Sequence, residues 1–349
     1  MRVLLLGSGV LPVPPTGWGA VERAVDGLSR GLRSLGVEAD ILQRVGRGRP
    51  SDEYRFALAL PKMLRQERFD LLHASTPVVA NRLVLKGLPY VYTSHSRHWN
   101  GPTHGLTQAW GFYLEKRACS RARGTIALTS EVADLMRRVH PPTRPERTRV
   151  IPNGVDPSFF RADWSVRLGH QVLGVGAVHP RKRWHLAARA VQEVPEALLT
   201  IVGPVQDAAY AQRVVKEGGG PERVVLTGEV PEEELLRRYA TSDLLLHPSG
   251  SELLSISVLE AMASSLPVVG TTVLSGEVPG GTVGVLVDER LPTDPMVAAF
   301  RDALLALLPD GSRRRVMGEA GRRVIEERHS WVKVAEATLA FYRELFTLS

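Results

Sequence analysis

Residues 247–270, HPSGSELLSISVLEAMASSLPVVG, decide how the chain is read. The apolar run Leu244–Leu246 leads into them, a polar loop carries Glu252, a helix-period stretch runs from Leu254 to Ala263, and a second apolar run, Val268–Gly270, closes them. Strand, loop, helix, strand is the unit of a parallel sheet, because parallel strands need a crossover and a helix supplies it. The same rhythm extends outward. Further strands are expected at Gln171–Val175, Leu198–Val202, Val224–Leu226 and Val283–Leu286, with helices at Trp184–Val191 and Glu232–Tyr239 between them. Towards the start, strands are expected at Val3–Leu6, Ala39–Leu42, Leu71–Ala74, Tyr90–Thr93, Gly124–Leu128 and Arg149–Ile151, with helices at Val21–Leu35 and Glu131–Val139. This is an α/β pattern of doubly wound parallel sheets.

At 349 residues the chain exceeds what one hydrophobic core usually serves, so two domains are expected. A Pro-, Gly- and Asp-containing stretch at 152–168 divides the two runs of strands and reads as a hinge. The expected organisation is 1–160, 161–330 and a closing helix over 331–349. Open parallel sheets bind ligands beyond the carboxyl ends of their strands, so two such domains would enclose one site in a cleft.

Composition narrows the function classes. No apolar run approaches the roughly 18 residues of a membrane span. The start, MRVLLLGSGVLPV, has an apolar stretch too short for a secretory signal and reads as a buried strand. The single cysteine, Cys119, forms no internal disulfide or thiolate cluster and suits a reducing compartment, hence an expected cytoplasmic location. The net charge of +7 is uneven: residues 1–160 hold 23 Lys or Arg against 13 Asp or Glu, and residues 161–349 hold 21 against 24. A basic first half suits phosphorylated ligands or an anionic membrane surface. Nucleic acid is not expected, since no aromatic residues interleave with the basic ones as a stacking platform requires.

Four segments carry chemistry. In GSGVLPVPPTGWGAVERAV (7–25), glycines admit a ligand to the backbone, and the helix near Ala20 would present N–H groups to a phosphate. Its spacing is not GxGxxG, and no GxxxxGK occurs, which excludes the usual dehydrogenase and P-loop patterns. In YVYTSHSRHW (90–99), His95 follows a strand and belongs at its carboxyl end, with His98 as a competing choice. In GVGAVHPRKRWHLAARAV (174–191), Arg181, Lys182 and Arg183 are suitable cations for a diphosphate. Glu252 and Glu260, eight apart, straddle a helix start, where carboxylates accept sugar hydroxyls and the helix end meets an anion.

Together these segments resemble the retaining glycosyltransferases of family 4, which have the GT-B fold: two Rossmann-like domains facing a central cleft, with a C-terminal helix returning to the first. The resemblance rests on PPTGWGAVER, TSHS, IPNGVD, the Glu252/Glu260 pair followed by LEAMA and LPVVG, and the ending HSWVKVAEATLAFYREL. It implies that 1–160 binds the acceptor and 161–330 the nucleotide-sugar donor, that Gly19 and Ala20 lend backbone N–H groups near the donor phosphates and that His95 faces the transferred sugar. Lys182 would bind the diphosphate, Glu252 would hold sugar hydroxyls, and Glu260 would hold the ribose. Leu253, Leu254 and Ser255 would add backbone groups beside the sugar. It further implies a nucleotide diphosphate sugar as donor substrate, no cofactor and no metal, consistent with the lack of an Asp-x-Asp sequence.

The sequence departs from the family at four places. Ala177 stands where an arginine usually follows the glycine, so Arg181 or Arg183 would have to replace that cation. Leu254-Ser255 replaces Phe-Gly, Ala20 replaces a glycine, and Ser265 stands where a glycine usually ends the helix. The expected activity is sugar transfer to a hydroxyl acceptor, with charge on the departing diphosphate stabilised by Lys182 and helix-end N–H groups. A nucleotide-sugar epimerase and a non-catalytic sugar-nucleotide binder are the alternatives. Trp99, Trp110, Phe112 and Tyr113 would stack on a sugar, touch lipid, or lie in the core; with the basic first half they suggest peripheral contact with an anionic membrane.

Overall fold

A computed structural model describes every residue except 16–18, 96–105, 140–146, 168 and 348–349. The chain forms two compact units, Met1–Gly154 joined by Trp331–Ser349, and Val155–Ser330.

In unit 1 the order is β1 (Arg2–Leu6), α1 (Ala20–Ser34), β2 (Glu38–Leu42), α2 (Pro50–Leu64), β3 (Leu71–Ala74), α3 (Pro77–Leu85), β4 (Val91–Ser94), α4 (Leu106–Arg121), β5 (Gly124–Ala127), α5 (Ser130–Val139) and β6 (Thr148–Val150). The strands form one parallel sheet, β2-β1-β3-β4-β5-β6, in which Leu4 pairs with Asp40 on one side and Leu72 on the other. Successive strands run first to one side of β1 and then to the other. The winding therefore reverses between β1 and β3, and the loops beyond those strands flank a crevice.

Unit 2 repeats the scheme with β7 (Gln171–Val175), α6 (Trp184–Gln192), β8 (Leu198–Val202), α7 (Ala208–Glu217), β9 (Val224–Gly228), α8 (Glu232–Thr241), β10 (Leu244–His247), α9 (Ile256–Ala263), β11 (Val268–Thr271), β12 (Gly284–Val287), α10 (Thr293–Leu307) and α11 (Gly311–Val324). Its parallel sheet is β12-β11-β10-β7-β8-β9, so its reversal lies between β7 and β10. Alternation along the strands splits the core into two layers. Val172, Leu199, Ile201, Leu244 and Leu246 pack with α6, α7 and α10, whereas Leu173, Val175, Val202 and Leu245 pack with α8 and α9.

The last helix, α12 (Trp331–Thr347), belongs to unit 1. Gly27 and Gly31 on α1 make the notch it fills: a Cβ on Gly27 would stand 2.0 Å from the Trp331 indole, and one on Gly31 would stand 2.4 Å from the Trp331 carbonyl oxygen. Tyr342 of α12 is fully buried, its hydroxyl 2.5 Å from His73 Nδ1 on β3.

Two sequence readings are corrected. The units divide after Gly154 rather than at residue 160, because the Val155 N–H donates to the His329 carbonyl at 2.8 Å and Phe160 packs edge-on against Tyr239, both in unit 2. Helix α9 begins at Ile256, not Leu254: Ser255 is extended (φ −89°, ψ 103°), which leaves Leu253 to Ser255 in the loop. Among the described residues no helix is long and apolar enough to cross a membrane.

Candidate active site

The crevice between β7 and β10 is bounded by the loops beyond those two strands. The β7 loop begins at Gly176, whose φ of +148° favours glycine and whose N–H donates to the Val202 carbonyl at 2.8 Å. The indole N–H of Trp184, the fully buried first residue of α6, donates to the Ala177 carbonyl at 3.0 Å and fixes the loop from the other end. Between them a single 3-10 turn, Pro180–Lys182, sends the three consecutive cations in different directions. Arg181 is exposed. Lys182 is buried, with its ammonium directed at the β10 loop. Arg183 is in the left-handed region (φ 54°, ψ 30°), an uncommon conformation for a side chain of that size. Its guanidinium lies over Gly250, where a Cβ would stand 2.4 Å from Cζ, and it donates to the Glu289 carbonyl at 3.2 Å.

Lys182 Nζ donates to Glu252 Oε1 at 2.7 Å, and His247 Nε2 donates to the same oxygen at 3.1 Å. The histidine tautomer follows from that partner: Nε2 carries the proton, and Nδ1 is buried with no hydrogen-bond partner among the described residues. Burial raises the Glu252 carboxyl, but the His247 hydrogen bond and the Lys182 charge outweigh it, leaving its pKa far below the usual carboxylate range. Burial, reinforced by the Lys182 charge, lowers His247 and keeps its ring neutral at neutral pH. The site is therefore a buried carboxylate held by a buried ammonium. An ammonium has three N–H donors and Glu252 takes one, which leaves donors for a phosphate.

The sequence places Glu260 one or two turns inside the helix, and the structure puts it one turn in, because α9 begins at Ile256. It is buried, with Oε2 accepting from the Tyr239 hydroxyl at 2.8 Å. The Ser255 side chain does not cap the α9 N-terminus, because its hydroxyl lies near His247 Nε2 and the Ser257 hydroxyl instead. The positive end of α9 follows directly on the loop carrying Glu252, Leu253, Leu254 and Ser255. Thus Lys182 and Glu252 are in contact, Leu253 to Ser255 and Glu260 follow on one loop and helix, and Arg181 stands apart.

In unit 1, Gly19 precedes α1 and Ala20 is its first residue, also without a side-chain cap. Their setting differs from that of α9, because buried Glu22 occupies the first turn and accepts a hydrogen bond from the Ser8 hydroxyl. A carboxylate there already meets the helix's positive end. His95 follows β4, is half-buried, and has its pKa pushed down to about 4 by burial. With His73, Thr93, Asn153 and Trp331 it lines a cavity of about 20 Å³. His98 and Trp99 lie outside the described residues. Trp110 and Tyr113 are exposed and stacked, ring centroids 5.5 Å apart.

Two partners escaped the sequence reading. His247 ends a strand, the same signal that singled out His95, and it opens the most informative segment. Tyr239 reaches Glu260 from another helix, and no local pattern points to it.

Two family models divide the chain between them: Glycosyltransferase Family 4 matches residues 19–159, and Glycosyl transferases group 1 matches residues 169–310. The chain belongs to the family 4 glycosyltransferases. This glycosyltransferase is 28% identical over 288 residues to alpha-maltose-1-phosphate synthase of Mycolicibacterium smegmatis, covering 75% of this chain and 74% of that one. It is 27% identical to D-inositol 3-phosphate glycosyltransferase of Paenarthrobacter aurescens, covering 99% and 98%. Sucrose-phosphate synthase from Thermosynechococcus elongatus shares its GT-B fold, with a TM-score of 0.82 at 20% identity over 100% of both chains. None of these matches supports the epimerase reading.

Proposed function

We propose that this glycosyltransferase moves a sugar from a nucleoside diphosphate donor to an acceptor hydroxyl with retention of configuration and without a metal ion. The observation that carries this reading is the buried Lys182–Glu252–His247 cluster at the reversal point of unit 2, beside a helix N-terminus that the Ser255 side chain leaves uncapped. Lys182 binds the diphosphate and stabilises the charge it gains on leaving. Glu252, kept anionic by its two partners, accepts hydroxyls of the sugar, and Glu260 accepts those of the ribose. Leu253, Leu254 and Ser255 contribute backbone groups beside the sugar, and Gly19 and Ala20 lend backbone N–H groups to the donor phosphates. His95, neutral at working pH, donates a hydrogen bond to the transferred sugar. Arg183, held over Gly250 in a strained backbone conformation, replaces the cation lost at Ala177; Arg181, being exposed, is the weaker substitute.

In the chemical step the bond from the anomeric carbon to the diphosphate oxygen breaks, and a bond to the acceptor oxygen forms on the same face. The hydroxyl proton passes to the departing diphosphate. Electrostatic stabilisation of that leaving group is the main contribution asked of the protein.

The test incubates the purified protein with uridine, guanosine and adenosine diphosphate sugars, with and without chelator, and determines the product anomer by NMR. Chelator-insensitive glycoside formation with the donor's configuration is expected. An inverted product overturns retention, and donor binding without transfer or hydrolysis favours the non-catalytic binder. The basic first half and the exposed Trp110–Tyr113 pair support peripheral contact with an anionic membrane, which vesicle flotation at low and high salt tests. No flotation at low salt removes it.

A further inference from the structure

Unit 1 contains a second cavity, of about 380 Å³, which the donor chemistry leaves unused. Its lining includes Gly9, Arg44, Gly46, Arg47, Asp52 and Arg55, from the loops beyond β1 and β2 and the first turns of α2. The cavity thus lies at the carboxyl end of the sheet, where this architecture binds ligands.

Its walls are specifically built. Gly9, at φ +77°, packs so closely that a Cβ on it would stand 2.4 Å from Phe56. A Cβ on Gly46 would stand 2.5 Å from the Gly9 carbonyl oxygen and 2.6 Å from Asp52 Cβ, so the two loops meet as bare backbone. Asp52, the one acid in the lining, is engaged three times: it accepts from the Arg47 N–H at 2.7 Å, the Arg49 N–H at 3.0 Å and Arg55 Nη1 at 3.1 Å. Its charge shapes the loop and meets the α2 N-terminus. Arg44 and Arg47 are exposed, and among the described residues neither guanidinium has a hydrogen bond or ion pair.

Three arginines against one committed aspartate give a concave wall with excess positive charge. Guanidinium forks match phosphate oxygens in pairs, and a dianion satisfies more of them than a carboxylate does. The volume falls within the range of small-molecule pockets, which start near about 300 Å³, so there is space for the alcohol bearing the phosphate.

We propose that this cavity binds the acceptor through a phosphate ester, with Arg44 and Arg47 gripping the phosphate and Arg55 shared between it and Asp52. The proposal rests on unit 1 being the acceptor-binding domain of the transferase. The ester is either a soluble phosphorylated polyol or sugar, or a lipid headgroup.

The test titrates the full chain with sn-glycerol 3-phosphate, with glycerol as the uncharged control, and measures flotation with phosphatidylcholine vesicles containing phosphatidylglycerol. The double variant R44Q/R47Q is compared with R65Q, which removes one charge at the exposed far end of α2. Saturable glycerol 3-phosphate binding, at least tenfold weaker in R44Q/R47Q and unchanged in R65Q, is expected and identifies a soluble ester. Flotation lost in R44Q/R47Q but kept in R65Q identifies the lipid-borne one. Binding of neither probe, or equal binding by both variants, overturns the proposal. Titration of the wild type with uridine, guanosine and adenosine diphosphates separates this failure from that of the donor site: nucleotide binding without phosphate-ester binding counts against this cavity alone.

Discussion

The two units reverse their winding beside their first strands, β1 and β7, yet they equip the resulting crevices differently. In unit 2 the charges are buried and paired before any ligand arrives, with Lys182, Glu252 and His247 meeting at one carboxylate oxygen. In unit 1 the neighbourhood is mixed: Glu22 is buried against Ser8, burial raises the Glu53 carboxyl, and the arginines stand exposed at the side. Burial in unit 2 lets a single charge act strongly and makes its loss costly. Exposure in unit 1 weakens each charge, which suits recognition by several contacts rather than one. A shared topology has produced one crevice whose charges are buried and paired and another whose arginines stand exposed.

Lys182→Ala removes the buried ammonium of unit 2. Losing one well-placed stabiliser of the leaving group costs about 2.7–4 kcal/mol of barrier, so kcat should fall by roughly a hundred- to a thousandfold in a transfer assay. A loss below about tenfold would place the unit 2 cluster outside the chemistry.

The next effect is on stability and is local to unit 1. Gly31→Ala puts a methyl group 2.4 Å from the Trp331 carbonyl oxygen and should cost about 1–3 kcal/mol in denaturant unfolding. An unchanged midpoint would show that α12 gives way without cost.

A third comparison uses acid. Burial, with a minor contribution from nearby His95, pushes the pKa of His73 down to about 3, and burial pushes His95 down to about 4. Between the ordinary value near 6.5 and these values, the unfolded chain takes up protons that the folded chain refuses, so stability falls as pH drops through that window. Each fully buried histidine adds a slope of at most about 1.4 kcal/mol per pH unit, and half-buried His95 adds less. Stability measured from pH 7 to 4 should therefore decline less steeply in His73→Asn. An unchanged slope would mean that the His73 ring gains a proton in place.

The smallest effect is expected from Arg149→Ala, which removes an exposed pair with Glu344. Its cost should stay within about 1 kcal/mol in the same unfolding measurement, and a larger loss would implicate its packing over the Phe341 ring.

Most of the fold was legible because the strands are short apolar runs and the helices have the right period; Gln171–Val175 and Leu198–Val202 match the observed strands to the residue. The candidate-site residues Lys182, Glu252 and Glu260 were legible one by one. Their pairing was not, because 70 residues separate Lys182 from Glu252 and only the sheet order brings them together. Arg181, Lys182 and Arg183 read as one cluster, and only the left-handed backbone at Arg183 and the turn before it reveal three separate roles. The arginine-lined cavity of unit 1 was illegible for a related reason: Arg44, Arg47 and Arg55 gain meaning from which of them Asp52 occupies, and composition cannot express that.

The notch at Gly27 and Gly31 has a consequence for synthesis on the ribosome. The strands of unit 1 emerge first, but Trp331 and Tyr342, which complete its core, are made only after all of Val155–Ser330. At roughly 5 to 20 residues per second, unit 1 waits about 10 to 35 s with one apolar face uncovered while unit 2 is free to fold on its own. That face stays open to solvent until α12 docks.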